Sequence, residues 1–285
     1  MVNGCGKMLS TVLVLILAVA MFGASCAAES AATEGIGVVV TIVPQAEFVE
    51  RVGGDQVDIT VMVPWGQDPH TYAPTVAQLE AVRQAKMYAM VGSDVEFELV
   101  HMGRIVEANK DMLVVNCSEG VELMGNDPHI WNSPLNAKIM VDHICEGLIQ
   151  VDPDNAESYM QNRDVYLKEL DILDGYVHYR LDGFSNRAFM IYHPAFGYLA
   201  RDYSLTQIPV EHEGKPPTPQ LIQDCIEKAK QYSIQYLFVA PQFRTEDCET
   251  IANAIGGETV SADPLGRHYV SDMANMVDSL AGEFE

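Results

Sequence analysis

The stretch from Asn155 to Leu181, NAESYMQNRDVYLKELDILDGYVHYRL, decides the fold. Tyr159, Tyr166, Leu170, Leu173, Val177 and Leu181 fall on one stripe at helical spacing, and most charged residues lie off it. The break at Asp152-Pro153 starts this segment afresh, because proline cannot continue a preceding helix. At 1.5 Å rise per residue the helix spans about 40 Å, long enough to run the length of a small two-lobed protein.

On either side of this helix the chain alternates between strand and helix. Before it, strands are expected at Ile36–Val43, Val57–Val63, Met87–Val91 and Met112–Val115. Helices are expected at Ala46–Val52, Thr75–Lys86, Phe97–Ala108 and Ala137–Ile149. After it, strands are expected at Ala188–Tyr192, Leu205–Val210, Tyr236–Val239 and Glu258–Ser261. Helices there are expected at Ala195–Asp202, Pro219–Gln231, Thr245–Ile255 and Ser271–Glu283, with a polar, proline-rich loop from Glu211 to Pro219. Short connections between alternating strands and helices imply mostly parallel sheets covered by helices. The fold class is α/β: two lobes of this kind joined by one long rigid helix. The expected division is an N-terminal lobe over residues 36–150, the connecting helix over 151–184 and a C-terminal lobe over 185–285.

Four strand exits carry a metal-capable side chain beside proline: Asp68-Pro69-His70, Asp127-Pro128-His129, His193-Pro194 and Asp263-Pro264. Proline fixes its own φ and biases the residue before it towards extended geometry, so each donor is held at a rigid exit. Ligands of α/β folds gather at such exits. His70, His129, His193 and Asp263 would give three imidazoles and one carboxylate, a donor set that suits zinc. Asp68 and Asp127 read as turn residues that orient these loops, and Tyr72 and Trp131 as aromatic walls. His101, His143, His178 and His212 lack this setting and read as surface or capping residues, with His268 held in reserve.

Composition bounds the rest. A net charge of −23 repels phosphate backbones, so no nucleic-acid partner is expected. The length, 285 residues, suits two lobes of ordinary size. Residues 1–26 read as a signal or lipoprotein-type segment: a basic start at Lys7, an apolar run from Met8 to Phe22, then Gly23-Ala24-Ser25-Cys26. Cys26 resembles the lipid-attachment site of prokaryotic lipoproteins, although Gly23 departs from the larger aliphatic residue usual there. Lipidation at Cys26, cleavage near Ala27-Ala28 and retention as an anchor all stay open, with residues 27–35 as a tether. The place of action is therefore extracytoplasmic, at a cell surface or in a periplasm. Cys117, Cys145, Cys225 and Cys248 lack metal-knuckle spacing; either Cys225 pairs with Cys248 or all four are buried thiols.

Taken in order, Gly66-x-Asp68-Pro69-His70-x-Tyr72-x-Pro74, Asp127-Pro128-His129-x-Trp131-x-x-Pro134, His193-Pro194-Ala195-Phe196-Gly197-Tyr198 and Asp263-Pro264-Leu265-Gly266 resemble the metal-binding class of ABC-transporter solute-binding proteins. Pro241-Gln242-Phe243 and Ile251-Ala252 match in place, and the resemblance runs from about Ile36 to the C-terminus. It implies ligands at His70, His129, His193 and Asp263, no enzymatic activity, a divalent ion as cargo, an ABC permease as partner and a monomeric protein. A histidine at the third ligand position resembles zinc-type members, with manganese the alternative ion and iron a further one. Many zinc-type members carry a His-rich loop in the first lobe, and Cys117–Asn126 has none. Affinity is expected to fall as pH drops through the histidine range, because ligands bind deprotonated. The rival readings are a secreted zinc hydrolase, which needs an open coordination position and a general base, and an adhesin with structural metal.

Overall fold

The computed structural model describes residues 35–211, 215, 217–243 and 246–285. The signal-type segment with Cys26, the tether before Gly35 and His212 lie outside the described residues.

Apolar runs ended by glycine, proline or a turn become the strands. In the first lobe these are β1 (Ile36–Ile42), β2 (Val57–Val63), β3 (Met87–Met90) and β4 (Leu113–Asn116), all parallel, in the order β2-β1-β3-β4. The second lobe repeats the plan with β5 (Ala188–Ile191), β6 (Thr206–Pro209), β7 (Tyr236–Val239) and β8 (Glu258–Ser261), in the order β6-β5-β7-β8. In both sheets the first strand has its sequence successor on one side and a later strand on the other. The connections after β1 and β3, and likewise after β5 and β7, therefore leave in opposite directions, which opens a crevice at the carboxyl ends of those strands.

Helices cover these sheets: α1 (Val43–Gly53), α2 (Val76–Gln84), α3 (Glu96–Ala108) and α4 (Pro134–Val151) with the first. The long helix is α5 (Ala156–Leu181), followed by α6 (Gly197–Asp202), α7 (Pro219–Tyr232), α8 (Glu246–Ile255) and α9 (Tyr269–Phe284). Several begin earlier than hydrophobic periodicity predicts. Proline is tolerated in the first helical turn, where its missing N–H has no partner to lose. Thus Pro44 lies inside α1, and Pro134 opens α4 beneath a Ser133 side-chain cap. Thr75 and Gln78 form a reciprocal capping box at the start of α2.

The six stripe residues of α5 are its six buried residues. Each buried leucine or valine among them contributes about 1.5–3 kcal/mol of transfer free energy. Glu47 of α1 ties three elements together: one oxygen accepts from Tyr166 Oη of α5 at 2.9 Å, the other from the Tyr269 amide of α9 at 2.6 Å. Arg51 and Glu169 add an ion pair between α1 and α5.

The two lobes do not have separate cores. Alternation along β5 and β7 points Phe189, Ile191 and Phe238 towards the cluster that includes α5, α9 and the first lobe. Ala188, Met190, Leu237 and Val239 face the other way, into a smaller cluster with Cys225 and Cys248 beneath α7 and α8. Cys225 Sγ lies 3.8 Å from the Pro209 carbonyl and Cys248 Sγ 3.8 Å from the Phe243 carbonyl. Of the two open readings for the cysteines, the structure holds the buried thiols. Among the described residues no helix is long and apolar enough to cross a membrane.

Candidate metal centre

His70 follows β2, His129 follows β4 and His193 follows β5, so strand exits of both sheets deliver the three imidazoles to one place. One ligand atom from each lies within 4.8 Å of the others. His129 Nε2 and His193 Nε2 face each other at 3.1 Å. Two nitrogens sharing a tetrahedral zinc at 2.0–2.1 Å would stand about 3.3 Å apart, so this pair is already close to coordination spacing. His70 is exposed, whereas His129 and His193 are each 7% exposed.

Local chemistry fixes the two buried rings and the loop that carries His70. Asp127 accepts at one oxygen from the His129 amide at 3.0 Å and from His129 Nδ1 at 2.7 Å. That contact assigns the proton to Nδ1 and leaves Nε2 with its lone pair towards the cluster. Burial holds the His129 pKa below its ordinary value; the Asp127 contact opposes this and the other two histidines reinforce it. The imidazole is thereby kept neutral, the form that binds a cation. His193 Nδ1 lies 3.3 Å from Glu211 Oε1, a carboxylate just beyond β6, and its ring stacks on Phe243 at 4.6 Å. Asp68 acts as a turn-former: it accepts from the His70 amide at 2.9 Å, and its carbonyl accepts from the Thr71 and Tyr72 amides. The Trp131 ring stands 5.3 Å from His129.

Asp263 departs from the four-ligand expectation. Its carboxylate is not among the clustered ring nitrogens. Oδ2 accepts from Trp65 Nε1 at 2.8 Å and Oδ1 from the Leu265 amide at 2.9 Å, so both oxygens are engaged. The residue lines a neighbouring cleft of about 410 Å³ rather than the void between the histidines. The reason is the pair of N–H donors around it: the Leu265 amide takes one oxygen and the Trp65 indole, from the other lobe, takes the second.

The void bounded by His70, His129, His193, Phe243 and Leu265 holds about 20 Å³. That is room for one water or one ion. The remaining described histidines lie elsewhere. His101 packs on Phe97, His143 Nε2 pairs with the Glu119 carbonyl, His178 lies 3.0 Å from Asp182 and His268 precedes α9.

Glu211 and Trp65 were not legible as site residues. Glu211 sits directly after a strand, the same signal that marks the histidines, but without a flanking proline. Trp65 reveals its role only through a partner 198 positions away.

Comparison with known proteins agrees with this architecture. The chain is 26% identical over 302 residues to the high-affinity zinc uptake system protein ZnuA of Bacillus subtilis, covering 93% of each. It is 27% identical over 291 residues to the manganese-binding lipoprotein MntA of Halalkalibacterium halodurans, covering 93% of this chain and 95% of that one. A crystal structure of ZnuA superposes with a TM-score of 0.84 at 33% identity, covering 88% of this chain and all of the other. These relatives are metal-binding transport proteins rather than enzymes, and zinc and manganese both appear among them. The family model described as ZnuA, zinc-uptake complex component A, periplasmic, matches residues 38–282, and the chain belongs to that family.

Proposed function

We propose that this protein is the extracytoplasmic solute-binding component of an ABC importer and captures one zinc ion between its lobes. His70, His129 and His193 supply the first three donors, and Asp263 turns in as the fourth when the ion is present. The observation that carries this reading is the meeting of three imidazole nitrogens within 4.8 Å around a void of about 20 Å³. Three nitrogens and one carboxylate suit zinc, whereas harder ions prefer more oxygen. Asp127 and Glu211 support zinc further, since carboxylates on the remote ring nitrogens raise ligand basicity. Tethering through Cys26 and delivery to a membrane permease complete the proposal.

The long α5 helix and the shared core favour a small rocking of the lobes over wide hinge closure. A loaded centre would bridge His70 and His129 of one lobe with His193 and Asp263 of the other, giving the permease a surface distinct from the unloaded one. The test is elemental analysis of the purified protein followed by competition between zinc and manganese. One zinc per chain that manganese does not displace at equal concentration is expected. Preferential retention of manganese would transfer the reading to that ion, and no bound metal would end it.

A further inference from the structure

The chain has two tryptophans, and both donate their indole N–H to the same two-residue step of the second lobe. Trp131, buried after β4, donates to the Pro264 carbonyl at 2.7 Å. Trp65, 62% exposed after β2, donates to Asp263 Oδ2 at 2.8 Å. The two contacts differ in kind. Trp131 holds backbone, so it fixes where the turn sits. Trp65 holds the carboxylate, so it fixes where the side chain points.

Trp65 is itself placed deliberately by its turn. The Gln67 amide donates to the Pro64 carbonyl at 3.1 Å and Gly66 has φ +79°, the signature of a type II turn with Trp65 at its second position. An indole N–H is a donor only, and here its acceptor is a carboxylate oxygen. Trp65 holds Oδ2 and the Leu265 amide holds Oδ1, so turning the carboxylate towards an ion among the histidines gives up the Trp65 contact. With Trp131 holding the Pro264 carbonyl, the exchange is a rotation of the Asp263 side chain that also gives up the Leu265 amide.

We propose that Trp65 is a positioning residue that parks the Asp263 carboxylate in the unloaded protein and surrenders it when metal enters. The inference rests on the reading of Asp263 as the fourth donor. It makes Trp65 a determinant of metal affinity, because loading must break one hydrogen bond between the lobes to form one metal bond between them. It also makes the Trp65 indole a reporter of loading.

The test is a double-mutant cycle on zinc affinity, measured by competition with a chelating dye, for wild type, Trp65→Phe, Asp263→Ala and the double variant. Trp65 is largely exposed, so phenylalanine there leaves the core untouched. Trp65→Phe is expected to bind zinc about threefold to tenfold more tightly, the equivalent of one modest hydrogen bond no longer competing. In the Asp263→Ala background the same change is expected to have no effect. Zinc is also expected to alter the Trp65 fluorescence, taken as wild type minus Trp65→Phe, in the presence of Asp263 and not in its absence. Equal zinc affinity of wild type and Trp65→Phe overturns the proposal, as does an equal effect of Trp65→Phe in both backgrounds. A His129→Ala control separates the two levels. If it binds zinc as wild type does, the histidine centre itself is refuted; if it loses zinc while Trp65→Phe is silent, only the parking role falls.

Discussion

Gly197→Ala should weaken zinc binding although Gly197 touches no proposed ligand. A Cβ built at this position comes 2.2 Å from Asp127 Oδ2. Ordinary contact for a Cβ is 3.4–4 Å, so the carboxylate must retreat by more than about 1 Å. Asp127 is short, and its other oxygen already receives both the His129 amide and His129 Nδ1. A displacement of that size pulls the carboxylate out of the geometry that fixes the His129 ring. Loss of such a supporting partner typically lowers metal affinity about 10- to 100-fold, or about 1.4–2.7 kcal/mol.

Backbone preference works in the opposite direction, since alanine loses less conformational freedom than glycine on entering α6, which Gly197 opens. Folding stability should therefore change little while zinc affinity falls. Calorimetric titration of wild type, Gly197→Ala, Asp127→Asn and the double variant reads the route directly. Both single variants should lose affinity by similar factors, and the double variant should lose little more, because both act through Asp127. Gly197→Ala within twofold of wild type, or fully additive losses, would refute the reasoning.

Other outcomes follow from the same structure. Saturating zinc should raise stability by about 4 kcal/mol at a thousandfold excess over Kd; calorimetric melting with and without zinc checks this, and equal midpoints would contradict it. Leu170→Ala, a fully buried position on α5, should cost about 2–5 kcal/mol in a urea titration, and a loss below about 1 kcal/mol would show the stripe is not packed as described. Glu98 is buried and accepts from Thr41 Oγ1 and the Val91 and Gly92 amides, yet burial raises its pKa above the usual carboxylate value. A raised folded-state pKa contributes stability at low pH that is lost as pH rises through it. The stability of wild type relative to Glu98→Gln should therefore decline as pH rises above the ordinary glutamate value of about 4.3, and a constant difference would contradict that.

Much of this molecule was legible because its signals are local. The α5 stripe needs only helical periodicity, and its six positions are the six that are buried. The histidines needed only a metal-capable side chain beside proline after a strand-like run, which is why His70, His129 and His193 could be picked out before any geometry. What was not legible depends on pairs far apart in the chain. No local pattern tells that Trp65 will meet Asp263, or that Glu211 will swing beneath His193. The fused core was hidden for a similar reason: period-two alternation shows that β5 has two faces, but not which one meets α5. The helix starts at Val43 and Pro134 precede the expected Ala46 and Ala137 because proline fits the first helical turn, which hydrophobic periodicity does not register.

The most direct measurement is a crystal structure of the zinc-loaded protein with anomalous data at the zinc edge. One peak is expected at coordination distance from His70, His129 and His193, with the Asp263 carboxylate turned away from Trp65 towards it. A peak outside that cluster, or a zinc that engages fewer than three of those imidazoles, would contradict the account.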